Sequence, residues 1–160
     1  CIRDSVKSIQ RLAEGGFNRI LEVIMTDGTS VLARLPYPST LPRRLAVASV
    51  VATMGFVHAH GIPTPRILGY AINENAVGSE YILMEKLSGR PIGDEWFDLS
   101  EQQRLQLLCE FVKFESKLFN IQLPASGSIY YTHDLESDTP KVDILGVDGQ
   151  FCIGPYAGLE

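Results

Sequence analysis

Metal-ligand spacing is absent from this sequence. The three cysteines, Cys1, Cys109 and Cys152, are an odd number lying far apart, which excludes a Cys-x-x-Cys zinc site and points to reduced thiols in an intracellular protein. Cys109 falls in the apolar stripe of a predicted helix, where a small buried hydrophobe is expected rather than a nucleophile. Histidine is as scarce: His58 and His60 differ by two positions, which separates them around a helix, and no HExxH pattern or carboxylate cluster accompanies His133. A basic patch is also missing. Lys and Arg number 14 against 19 Asp and Glu, a net charge of −5, so no nucleic-acid partner held by phosphate contacts is expected. No apolar run approaches the roughly 20 residues that span a bilayer. The opening CIRDSVKSIQ has neither a signal-peptide core nor an Arg-rich targeting pattern, and without an initiator Met the chain reads as a fragment. The last absence concerns acid. From Gly28 to Asn73 there is no Asp or Glu.

What is present describes a folded domain. A hydrophobic fraction of 45% with mean hydropathy of +0.06 supports a real core rather than disorder. At 160 residues the chain suits one compact domain, or one lobe plus part of another. Ser8 to Leu35 reads as three strands, with a Gly-Gly turn after the first and an Asp27-Gly28 turn between the apolar runs Ile20–Met25 and Val31–Leu35. Pro36, Pro38 and Pro42 punctuate a loop, and Leu45 to His58 then reads as a helix with so little polar face that it should be buried on most sides. GIPTPRILGYAI breaks that helix and starts a strand near Arg66, SEYILMEKLSG is another strand, and Ser100 to Gln122 is a long helix with Ser100 and Gln103 forming a capping box. Leu105, Leu108, Phe111, Val112, Leu118 and Phe119 form its apolar face. Beyond Pro124, GSIYY and KVDILGVDGQFCIG read as short strands or irregular segments.

Strands with a Gly-rich turn, a helix, two strands, a connector and a long helix follow the order of a protein-kinase-like small lobe running into a large one. The segments AEGGFNRILEVIMTDGTSVLARLP, VATM, IPTPRILGY, YILMEKLSGRPIGDEW, LPASGSIYY and FCIGP together resemble the fungal branch of the aminoglycoside phosphotransferase family, which includes proteins named for altered inheritance of mitochondria. The resemblance runs from about Arg11 to Pro155 and implies an α+β fold. Residues 1–88 would be a kinase-like N-terminal lobe, an antiparallel sheet plus one helix. Residues 89–160 would be a connector and the start of a truncated, helical C-terminal lobe. The implied family activity is ATP- or GTP-dependent phosphoryl transfer to a small-molecule hydroxyl with Mg²⁺.

The resemblance also implies a nucleotide site, residue by residue. Gly15, Gly16 and Phe17 would lie over the phosphates, where residues lacking Cβ let backbone N–H groups approach; a plain hairpin turn explains the same residues. Arg34 takes the place of the third-strand Lys that meets the α- and β-phosphates, with a planar fork of different reach. Its partner Glu is expected just before VATM, where this chain has Val50. Met84 would border the base, and the Glu85 carbonyl and Leu87 N–H would contact it.

Asp134, in YTHDL, has the spacing of a catalytic base, but Thr139 stands where a metal-binding Asn belongs. Asp148-Gly149 has the form of a metal-binding Asp motif further along the chain. No residue is therefore assigned as catalytic or metal-binding, and whether the chain is an enzyme is left open. Mg²⁺ is expected only with a complete large lobe. The alternative is a non-catalytic module binding nucleotide or protein, with a protein partner or self-association through the incomplete large lobe. Mitochondrial and cytoplasmic locations both stay open.

Overall fold

The computed structural model describes residues 5–146 and 149–158. Five antiparallel strands, β1 (Val6–Glu14), β2 (Asn18–Met25), β3 (Ser30–Pro36), β4 (Ile67–Ala71) and β5 (Tyr81–Glu85), form a sheet in the order β1-β2-β3-β5-β4. The β2–β3 turn is made by local chemistry: Asp27 Oδ1 accepts from the Thr29 N–H at 2.8 Å and the Thr29 hydroxyl at 2.7 Å. Gly28 supplies the positive φ of +87° that this turn needs.

Helix α1 (Arg43–Ala59) lies between two sheets, which is the physical reason for its nearly continuous apolar sequence. On one side Val47, Ala48 and Val51 pack with Ile82 and Met84 of the large sheet and with Ile72 just after β4. On the other, Ala52 and Phe56 pack with Ile144, Phe151 and Ile153. That second side is a small antiparallel sheet of β6 (Ser128–Tyr131), β7 (Val142–Asp143) and β8 (Phe151–Gly154), ordered β6-β8-β7. Gly55 makes the approach possible, because a Cβ there would collide with the Tyr131 hydroxyl. The helix stops in a Schellman motif. Ile62 N–H donates to the Val57 carbonyl at 3.1 Å and Gly61 N–H to His58 at 2.9 Å, with Gly61 at φ +72°.

A short helix α2 (Ile92–Glu95), which the sequence reading passed over as connector, precedes α3 (Glu101–Phe119). The capping box of α3 is complete: Gln103 N–H donates to Ser100 Oγ at 3.3 Å and Ser100 N–H to Gln103 Oε1 at 2.9 Å. Its apolar residues Leu105, Leu108, Phe111 and Val112 are exposed. Cys109 is exposed too, which corrects the expectation of a buried thiol: the stripe is apolar, but the segment after Pro124 covers α1 instead of α3. The architecture is α+β, with a small-lobe-like sheet and helix.

Candidate nucleotide site

Two pieces of the expected site belong to the first three strands, the Gly15–Phe17 turn and Arg34. Gly15 to Phe17 turn β1 into β2, with the Gly15 N–H donating to the Asn18 carbonyl at 2.9 Å. The Phe17 carbonyl is pinned from the β3–α1 loop by the Tyr37 N–H at 3.0 Å and the Thr40 hydroxyl at 2.8 Å. A Cβ on Gly16 would meet nothing within 4 Å, so the outer side of the turn is open to an approaching group.

Arg34 stands on β3 opposite Ile20 on β2 and Ile82 on β5. It lines a cavity of about 30 Å³ between sheet and helix, together with Asn18, Thr40, Val47 and Val50. That space holds a water or two, so a phosphate chain would sit at its mouth rather than inside. Burial lowers the Arg34 pKa from its ordinary value, and no charged partner contributes to the shift; an arginine starts high enough to stay protonated regardless. Val50 on α1 faces the same cavity. The position where a glutamate is expected thus shares a cavity with Arg34, and it is apolar.

The other residues assigned to the base are brought close to one another on and after β5. Met84 is nearly buried in the core against α1. Glu85 turns to the opposite face, where its carboxylate takes the Arg66 Nε at 2.9 Å, an interaction that holds its pKa below the usual carboxylate range. Leu87 follows the strand and is exposed.

Lys86 supplies a contact that sequence reasoning missed. Its Nζ lies 2.6 Å from Oε1 of Glu22 on β2, and Gln10 Nε2 donates to Oε2 at 2.9 Å. Hydrogen bonds from Lys86, Gln10 and Ser30 bring the Glu22 pKa down to about 2. The available signal was a single acid inside the apolar run Ile20–Met25. An unpaired carboxylate could not stay there.

Asp134 is buried, and its carboxylate is occupied. The Tyr70 hydroxyl lies 3.0 and 3.2 Å from its two oxygens. Arg44 from α1 donates to the Asp134 backbone carbonyl at 3.0 Å. Burial, then the hydrogen bond to Asp134, raises the Tyr70 pKa. These contacts tie the 3₁₀ turn Thr132–Asp134 to α1 and β4, a structural role. Thr139 N–H closes a turn on Glu136 at 3.1 Å. Asp148 lies outside the described residues, and among the described residues no three His, Cys, Asp or Glu side chains converge on a metal position.

A sheet with one helix on its face, a glycine turn over its first strands and a cation on its third define the small lobe of a kinase-like phosphotransferase fold. The chain belongs to the phosphotransferase enzyme family, whose model matches residues 8–142. It is similar to a subtelomeric hrmA-associated cluster protein of Aspergillus fumigatus, 36% identical over 99% of this chain and 31% of that protein. It is also similar to altered inheritance of mitochondria protein 9, mitochondrial, of Saccharomyces cerevisiae, at 32% over 85% of this chain and 23% of that protein. The corresponding Debaryomyces hansenii protein is 31% identical over 81% of this chain. Among solved structures, the GDP complex of a mutant aminoglycoside 2'-phosphotransferase-IIIa superposes with a TM-score of 0.54 at 16% identity, covering 72% of this chain and 36% of that one. The chain spans about a third or less of the length of these curated relatives.

Proposed function

We propose that this chain is a nucleotide-binding lobe of the phosphotransferase family that holds ATP without turning it over by itself. The observation carrying the reading is the cavity that Arg34 shares with Asn18, the first residue of β2 after the turn, and with Thr40, whose hydroxyl pins Phe17. The turn Gly15–Phe17 and the guanidinium thereby form one cationic, backbone-rich edge suited to phosphates. Met84, the Glu85 carbonyl and the Leu87 N–H are assigned to the base.

Catalytic incompleteness rests on Val50 beside Arg34, on the engagement of Asp134 with Tyr70, and on Thr139 in a turn. Mg²⁺ enters only with acids from outside this chain. In an active relative the family activity would be phosphoryl transfer to a small-molecule hydroxyl. Mitochondrial residence is the location we favour, supported by the names of the yeast relatives. The exposed apolar face of α3 supports a second role in contact with a protein partner or another copy.

Titration with ATP, with and without Mg²⁺, tests this reading alongside a hydrolysis assay. Arg34→Met is expected to weaken ATP and tripolyphosphate binding about tenfold or more, the size of one charge-assisted hydrogen bond. Unchanged affinity would remove Arg34 from the site.

A further inference from the structure

Glu22 is a buried acid for which the nucleotide reading has no use. It belongs to a single cross-strand row, Gln10–Glu22–Leu32–Met84–Ile67, running across all five strands of the large sheet. Leu32 and Met84 are the apolar pair that a purine ring would meet, Leu32 with its half-buried side chain and Met84, packed in the core and 9% exposed, with its edge. Lys86 lies two residues beyond Met84, so strand alternation returns its side chain to the same face.

The sheet order places β3 between β2 and β5. Neighbouring strands are about 4.8 Å apart, so a lysine following β5 reaches a glutamate on β2 only by laying its stem across β3. The 2.6 Å contact between Lys86 Nζ and Glu22 Oε1 means that it does. Gln10 fixes the other carboxylate oxygen at 2.9 Å, and Glu22 is only 4% exposed. Val31 pairs with Glu85 and Leu32 with Met84, so the bridge crosses β3 at Ser30, which also hydrogen-bonds Glu22, and it rims the Leu32–Met84 pair that a base would need.

We infer that Glu22 is the affinity-determining residue of the nucleotide site, its bridge to Lys86 rimming the Leu32–Met84 pair that a purine would meet. This inference rests on the nucleotide reading given above. A purine entering there must lift Lys86 away and then lie beside a carboxylate that has lost its cation. A buried charge stripped of its partner is costly, and the negative face of an aromatic ring does not offset it. Binding is weak in consequence, and removing the charge strengthens it.

The test measures calorimetric affinities of the 160-residue chain for ATP, adenosine and tripolyphosphate, in wild type, Glu22→Leu and Glu22→Leu/Lys86→Met. The double variant leaves no unpaired charge. Both variants are expected to bind ATP and adenosine at least tenfold more tightly than wild type, with tripolyphosphate unchanged. Should Glu22→Leu fail to unfold cooperatively, Glu22→Gln keeps the shape, removes the charge and is expected to gain in the same direction. Equal ATP affinity in wild type and variants overturns the inference while leaving the nucleotide reading intact. Absence of ATP, adenosine and tripolyphosphate binding in every folded variant overturns both.

Discussion

Arg34 and Val50 face one cavity, so the missing acid is a matter of one side chain rather than of a displaced helix. Val50→Glu is expected to place a carboxylate against the guanidinium. A double-mutant cycle with Arg34→Met, read by urea unfolding, should give a coupling of about 1–3 kcal/mol; a coupling of zero would show that the two do not meet. Tyr70 and Asp134 are expected to behave as a structural pair. Tyr70→Phe leaves a buried carboxylate short of a donor and should cost about 1–3 kcal/mol in the same assay, with ATP affinity unaltered. Glu22 yields a pH prediction whose sign follows from its depressed pKa, 4.5 falling to about 2. A carboxyl that is more acidic when folded adds stability above its unfolded pKa and loses it as pH falls through its folded one. Wild type should therefore lose more stability than Glu22→Gln between pH about 4.5 and about 2. Parallel acid titrations would contradict the bridge.

The elements were unevenly legible in the sequence, for physical reasons. Asp27-Gly28 and the Ser100–Gln103 capping box are short-range chemistry, and both turns out as read. Helix α1 carried its clue in composition: residues apolar on every side require two partners, and the structure supplies the large sheet and β6–β8. The small sheet itself was hard to read, because strands of two to four residues are too short to establish a period of two. That Arg34 lies on β3 could be read from strand order alone. The Glu22–Lys86 bridge could not, since it joins positions 64 apart in sequence through a register that only the folded sheet specifies. The fit of α1 against β6 depends on Gly55, whose Cβ would strike the Tyr131 hydroxyl. Tyr131 is itself stacked on Phe151, with ring centroids 4.9 Å apart, and has little room to retreat. Gly55→Val is expected to destabilise the protein by about 1–3 kcal/mol through overpacking, measured by chemical denaturation; a neutral result would mean that the small sheet shifts freely on α1.

At the scale of the whole molecule, two surfaces differ in character. The sheet face against α1 is closed by packing and by one ion pair, while the apolar side of α3 is open, with Phe111 60% exposed and Val112 58%. Such a patch drives association when nothing covers it. Sedimentation at increasing concentration should show self-association, reduced by Leu108→Lys/Phe111→Lys; a wild-type monomer at every concentration would argue against an adhesive α3 face. The central claim is that this lobe binds nucleotide but lacks the chemistry to spend it. ATP binding measured with and without Mg²⁺, beside phosphate release from the same samples, tests it most directly. The expected result is weak, saturable binding that depends on Arg34, with no phosphate release above buffer; steady turnover by the purified chain would contradict it.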